Sequence, residues 1–407
     1  MTSAALDPGG PVRRTVSAVV TLGDECCGEV GPFPVDVPWW AEAWPVVDAV
    51  EAALGVPVVV LRLLTVSGGE GARGGHVTYH VEASARPGSP LRPVEFRPDV
   101  QPLRLPWATA SGVRELLAWA ADAVPLTGRP RQHKTWNLAA LFRLPTADGA
   151  AWLKATPPFA ADEASAIRTL GAVDPGLVPQ VLASAPGRLL LGDVPGEDLW
   201  NASEAQVVST IARFVTAQAT VATTFRPYPA ADDAESSSPL RSRTPTVLAE
   251  QVAALIDGPA AAELSAAERA EARVLNERWA ALDECGLPDT FVHGDFHPGN
   301  WRGTPDGPPT VIDYADAYWG NPVQDGLRAI DYLPSGRRGT AAKTWVEAWR
   351  AAVPGSRPGD ALRIAEPLAH LAYAVRYQEF LDGIEPSERI YHAGDPAAAI
   401  RAALAVA

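Results

Sequence analysis

In the stretch "FVHGDFHPGN" (Phe291–Asn300), two histidines, one aspartate and one asparagine fall within a few positions of each other. Three chemistries are open to such a cluster: ligation of a transition metal, activation of a water, or placement of a hydroxyl for attack on a phosphate. Downstream, "WRGTPDGPPTVIDY" reads as strand, turn, strand, and a hairpin there would carry Asp313 back beside Asn300. Three oxygen-bearing side chains, those of Asp295, Asn300 and Asp313, can then converge. Carboxylate and amide oxygens are hard ligands that suit Mg²⁺, especially where phosphate oxygens complete the octahedron. Asp295 follows a buried apolar lead-in, Phe291-Val292, and can face an incoming hydroxyl as base. The spacing D-x4-N, then x12-D, fits one base and two metal ligands.

A phosphoryl donor needs more than a base. Lys154 ends the strand-like run "GAAWLK", where a cation can reach nucleotide phosphates, and Glu163 on the following helix can pair with it. Gly192, Asp193 and Val194 lie where a small sheet gives way to a helical region, so their backbone groups could bond an adenine edge. Two other readings remain. His293, Asp295 and His297 at alternate positions could be ligands of a zinc hydrolase, although no HExxH pattern is present and Asn300 and Asp313 would then have no role. A catalytically silent nucleotide-binding module would be expected to lose the base or a metal ligand, and this chain keeps them all.

The elements that must hold these residues can be read in order. Residues 1–13 suggest a flexible tail. Thr15–Leu22, Val58–Val66 and His76–Ala83 read as strands around a helix over Trp39–Leu54, interrupted at Pro45 and stopped by Gly55. His76 and His80 share a strand face about 13 Å apart, too far for one metal, and are expected to be structural. A helix over Ser111–Val124 follows, with Leu116, Leu117 and Trp119 as buried candidates. Two strand-like runs then flank "ADG", a hairpin signal at Asp148-Gly149. A short helix carrying Glu163 and two further strands, Pro179–Ala183 and Arg188–Asp193, complete a small antiparallel sheet. Beyond it the chain turns helical. Ser203 with Gln206, and Ser265 with Glu268, form capping boxes, the second opening a helix to Gly286. The polar run "YPAADDAESSSPLRSRTPT" between them is expected to be mobile.

Bulk properties narrow the classes. A chain of 407 residues calls for two or three domains. The net charge of −14 opposes nucleic acid or an anionic membrane as a partner. Three cysteines (Cys26, Cys27, Cys285) without a CxxC pair oppose a disulfide framework or structural zinc. No apolar leader and no membrane-length apolar run is present, which predicts a cytoplasmic protein.

"HGDFHPGN" followed by "VIDY" resembles the H-G-D-x-x-x-x-N … I-D signature of the aminoglycoside phosphotransferase and choline-kinase-like small-molecule kinases. "WLKA", Glu163 and "LLLGDVPGEDL" are similar to that family's small lobe and hinge, in the same order. The resemblance covers about residues 130–330 and, loosely, the helices after them. It implies an α+β, protein-kinase-like bilobal fold, with a small antiparallel sheet lobe carrying one helix and a larger, mostly helical lobe. An extra α+β accessory segment would occupy residues 1–105, the small lobe 106–195 and the helical lobe 196–407. It also implies ATP or GTP as donor and a small-molecule hydroxyl as acceptor. Asp295 would be the catalytic base, Asn300 and Asp313 would hold Mg²⁺, and Lys154, braced by Glu163, would bind phosphates. His293 would support the loop, and Asp325 in "GNPVQDGLR" would be structural. The glycine-rich loop of protein kinases is absent from "RQHKTWNLAALF", and no activation segment follows Asp313-Tyr314-Ala315, which argues against a protein substrate. Glu379, Asp382, Glu385 and Tyr391 are candidate contacts for an aminated acceptor such as an aminoglycoside or amino sugar, or they form a solvated helix face.

Overall fold

Alternating apolar residues build the first sheet. In the computed structural model, which describes residues 13–225, 240–305 and 307–407, Arg14–Leu22 (β1), Glu25–Val35 (β2), Val58–Ser67 (β3) and Gly75–Ala83 (β4) pair in the order β2-β1-β4-β3. β1 and β4 run parallel, while the outer pairs are antiparallel. Helix α1 (Trp44–Leu54) lays Val46, Val47, Val50 and Leu54 on Val16, Val20, Val60 and Val81. Pro45 starts this helix rather than interrupting it, because a first-turn proline has no amide that the helix needs. β2 was not expected: Gly28, Gly31, Pro32 and Pro34 break the alternation that marks a strand.

The described chain divides into two compact units, and the first also holds the second sheet: residues up to 157, 182–192 and 380–393 cluster together. Helix α2 (Ala110–Ala123) is followed by Arg131–Trp136 (β5), Ala139–Thr146 (β6) and Gly149–Ala155 (β7); Val181–Ala185 (β8) and Arg188–Gly192 (β9) complete the order β5-β6-β7-β9-β8. The two sheets are joined by an amide in place of a strand. Gln132 Oε1 accepts from Val60 N at 2.8 Å and its Nε2 donates to Val60 O at 2.7 Å, so one side chain satisfies the edge of β3. Leu61 and Leu105 share a core with Phe142, Leu153 and Leu190. Asn137 in the β5–β6 turn is buried: its Nδ2 donates to Glu388 O at 3.2 Å, and the neighbouring Trp136 meets the rings of Tyr391 and His392.

The second unit comprises residues 158–181, 193–379 and 394–407. It begins with α3 (Glu163–Gly171), capped by Asp162, then the short strand Glu197–Asp198 (β10) and α4 (Glu204–Thr224). α4 opens with the Ser203–Gln206 capping box and buries Val207, Ile211, Phe214 and Val215, the stripe its spacing predicts. Next come Ser242–Arg243 (β11), α5 (Pro245–Asp257), α6 (Ala266–Asn276), α7 (Trp279–Asp283) and Thr290–Val292 (β12). The single helix expected from Ser265 to Gly286 is therefore two. Trp301–Gly303 (β13), Thr310–Val311 (β14), Tyr318–Gly320 (β15), α8 (Val323–Tyr332), α9 (Ser335–Ala352), α10 (Pro358–Gly383, its last turn in the first unit) and α11 (Asp395–Ala405) complete it. The expected strand-turn-strand is β13 and β14, and the strands of this unit form two small sheets, β10-β13-β14 and β11-β15-β12. The tail expected before Arg14 lies, except for Arg13, outside the described residues, and so do residues 228–239 of the expected mobile loop. Among the described residues no helix is long and apolar enough to cross a membrane.

Candidate active site

β12 delivers the loop. Phe291 and Val292 are fully buried and pair with Trp319 and Tyr318 of β15. Where the strand ends, the buried carboxylate of Asp325 on α8 gathers the loop backbone. Its Oδ2 accepts from His293 N at 2.8 Å and Gln218 Nε2 at 2.9 Å, and its Oδ1 from Gly294 N at 3.0 Å. Burial pushes this carboxyl up, to about 7, against the pull of those donors. Gly294 has φ +82°, and a Cβ there would lie 2.4 Å from Asp316 O, so the turn both needs a left-handed residue and leaves no room for a side chain.

His293 is a strut. Its Nδ1 accepts from Asp295 N at 3.2 Å and its Nε2 donates to Ile312 O at 3.1 Å. Burial pulls its pKa down to about 4, so the ring is neutral. His297 Nδ1 accepts from Gly299 N at 3.0 Å, and its Nε2 lies 3.3 Å from Asp295 Oδ2. Both imidazoles are thus spent on the loop itself. Among the described residues no three His, Cys, Asp or Glu side chains are grouped to hold a metal. The zinc arrangement of His293, Asp295 and His297 is therefore not favoured, for want of available ring nitrogens.

Asp295 stands at the centre. Arg328, one turn beyond Asp325 on α8, donates to Asp295 Oδ1 from Nε at 2.8 Å and from Nη2 at 2.6 Å. Asn300 Nδ2 donates to Asp295 O at 2.9 Å and to Oδ2 at 3.1 Å. Burial would raise the carboxyl, but Arg328 and then His297 hold it well below the usual carboxylate range. Its side chain keeps 26% of its surface exposed, enough for a hydroxyl to reach it.

The hairpin of β13 and β14 brings Asp313 back to the loop. Trp301 pairs with Val311, and Ile312 N donates to Asn300 O at 2.9 Å. Asp313 itself is left-handed, with φ +68°, a conformation that costs most residues energy and that Asp tolerates better. Next to it, Tyr314 N donates to Glu163 Oε1 at 3.0 Å, and Ala161 N donates to Ala315 O at 2.8 Å. Glu163 therefore braces the Asp313 turn, a contact that the sequence does not announce. Since Asn300 spends its amide nitrogen on Asp295, Oδ1 is the atom that could meet a cation. That oxygen and the Asp313 carboxylate are hard donors, and they fit Mg²⁺.

The remaining expected residues sit as follows. Lys154 is buried in β7, opposite Leu141 and Leu189. Gly192 ends β9, opposite Ala151. Lys154 and Gly192 belong to the first unit; Glu163, Asp193 and Val194 belong to the second. Val194 O accepts from Arg302 Nε at 2.8 Å. Of the expected acceptor contacts, Glu379 is held by Arg241 and Arg376, each at 2.9 Å, and by Arg243. Glu385 is buried against Arg62 at 3.1 Å and Arg104 at 2.6 Å, and Tyr391 is buried beside Trp40. Glu379 and Glu385 are neither open acceptor contacts nor a solvated face. Sequence reading missed Arg328, although its position three residues after Asp325 puts both on one helix face.

Comparison with known proteins gives a family match over residues 131–362, to the phosphotransferase enzyme family. No curated protein matches the chain. Among solved structures, choline kinase LicA from Streptococcus pneumoniae is similar at 14% identity with a TM-score of 0.51, over 72% of this chain and 99% of that one. A choline/ethanolamine kinase family protein from Mesorhizobium loti is similar at 18% identity and TM-score 0.48, over 72% and 98%. Macrolide 2'-phosphotransferase MphH from Brachybacterium faecium is similar at 20% identity and TM-score 0.45, over 71% and 96%.

Proposed function

The chain belongs to the phosphotransferase enzyme family, and from that premise we propose that it moves the terminal phosphoryl group of ATP to a hydroxyl of a small molecule, with Asp295 as the base. One observation carries this reading. The Asp295 carboxylate is fixed by Arg328, Asn300 and His297 at the tip of a backbone loop that Asp325 pins, yet it stays accessible. Such a group orients an acceptor hydroxyl. The acceptor oxygen forms its bond to the γ-phosphorus as the bond to the β–γ bridging oxygen breaks and ADP departs. The acceptor's proton passes to Asp295. Because the transition state is loose, little proton abstraction is needed early, and a weakly basic but well-oriented carboxylate suffices. Asn300 and Asp313 would hold Mg²⁺, which when bound neutralises charge on the phosphate oxygens.

We assign Lys154 to the nucleotide phosphates, and the backbone groups of Gly192, Asp193 and Val194 to the adenine edge. Glu163 acts here through the Asp313 turn that it braces. An aminated acceptor held by Glu379 or Glu385 loses its support, since arginines occupy both carboxylates. The test is ADP release across a broad acceptor panel with wild type and Asp295→Ala. Turnover should fall by about a thousandfold or more while ATP binding persists; near-normal turnover in the variant would refute the assignment.

A further inference from the structure

Three rings are stacked beside Asp295. His297 lies 5.2 Å from Trp200 at an interplanar angle of 25°, and 4.9 Å from Tyr332 at 20°. The same imidazole reaches Asp295 through Nε2. The Arg328 guanidinium, which grips the other carboxylate oxygen, lies 4.1 Å from the Tyr332 centroid and 4.9 Å from that of Tyr373. Base, arginine and rings thus form one connected surface. At its outer end, the Cε2–Cζ2 edge of Trp200 is pressed onto Gly299, where an added Cβ would come within 2.2 Å of the indole. Even so, 44% of Trp200 remains exposed. An open indole on a rigid support, one ring away from the reacting carboxylate, is what a flat ligand needs for stacking at low entropic cost.

Charge supplies the second observation. On the Gly294 side of Asp295, Asp316 is held by Arg376 through Nε at 2.8 Å, and Glu379 by Arg241, Arg243 and Arg376. Three arginines there face two carboxylates. On the Trp200 side, Asp198 is paired with Arg302 at 2.9 Å. Asp316, Glu379 and Asp198 are thus each already paired with arginine, and a polycationic acceptor would gain no free counter-ion from these three. Removing ammonium groups from water without new counter-ions is costly.

The geometry points to an uncharged, ring-bearing alcohol as the acceptor, with one face on Trp200 and its hydroxyl turned to Asp295. This rests on the phosphotransfer reading and narrows its substrate class. The test uses matched pairs of hydroxylated ring compounds, glycosides and aromatic alcohols, each with and without an amino group. Binding to the full chain is read by saturation-transfer NMR and titration, and ADP release is read separately. Neutral members should bind better than their aminated partners. Trp200→Ala should weaken the neutral members by about five- to tenfold, and Trp200→Phe should restore most of that loss. Preference for the aminated members, unchanged binding in Trp200→Ala, or no binding by any member would each overturn the inference. Binding that follows this pattern without ADP release would leave the acceptor surface standing and count against phosphotransfer instead.

Discussion

Arg328 donates to a single oxygen of Asp295 from two nitrogens, Nε at 2.8 Å and Nη2 at 2.6 Å, while Tyr332 and Tyr373 flank the guanidinium. That leaves the second oxygen, Oδ2, for Asn300 and His297. The two carboxylate oxygens are thereby distinguished, and rotation of the group is suppressed.

Replacing Arg328 should expose that dependence. Arg328→Ala leaves Asp295 without its main counter-charge and should cost about 1–3 kcal/mol of stability, the lower end reflecting the carboxylate's partial exposure. Turnover should fall by at least tenfold with little change in KM for ATP. Arg328→Lys restores the charge but not the fork, and should recover stability more than turnover. Equal recovery of both would mean that charge alone matters at this position.

Asp325 touches no reacting group but accepts three hydrogen bonds from the loop and α4. Asp325→Asn points an amide donor at N–H groups that need acceptors. The loss should be about 2–4 kcal/mol, since buried donors left unpaired cost about 1–3 kcal/mol each. Thermal melting and kcat should fall together. An unchanged melting temperature would show that the loop is held by other contacts.

Glu388 offers a test by pH. It is buried beside Glu385, with Arg62 and Arg104 facing it, and burial followed by the Glu385 charge raises its pKa from 4.5 to about 8. A raised folded pKa means that the folded state binds the proton more tightly. The stabilisation is complete below about pH 4.5 and is lost as pH rises through about 8. Glu388→Gln should remove this slope, so the melting-temperature difference, variant minus wild type, should grow between pH 5 and 9, roughly the window spanning the two pKa values. A difference independent of pH would show that Glu388 does not titrate in that range.

Local signals carried much of this structure. The Asp295, Asn300 and Asp313 spacing, the two capping boxes and the β13–β14 hairpin are all short-range, and each is legible because neighbours in sequence are neighbours in space. The misses are long-range or masked. β2 hides behind glycines and prolines, and the β5–β6 turn hides in an apolar run because Asn137 is buried rather than exposed. Glu379 and Glu385 looked like solvent or ligand contacts because, Arg376 apart, their arginine partners lie far away in sequence, at Arg241 and Arg243 and at Arg62 and Arg104. The brace from Glu163 to Tyr314 was hidden for the same reason.

The Gln132 amide on the edge of β3, together with Leu61 in the core under Phe142 and Leu153, bears on how this protein can be divided. The family match begins at residue 131, yet Leu61 and Leu105, which fill the core beneath β6 and β7, come from before that point. Trimming the chain to its matched region would leave an apolar face open to water and the Gln132 amide without its strand. The leading segment is part of the scaffold, and a shortened version would need other apolar groups over the face that Leu61 and Leu105 cover.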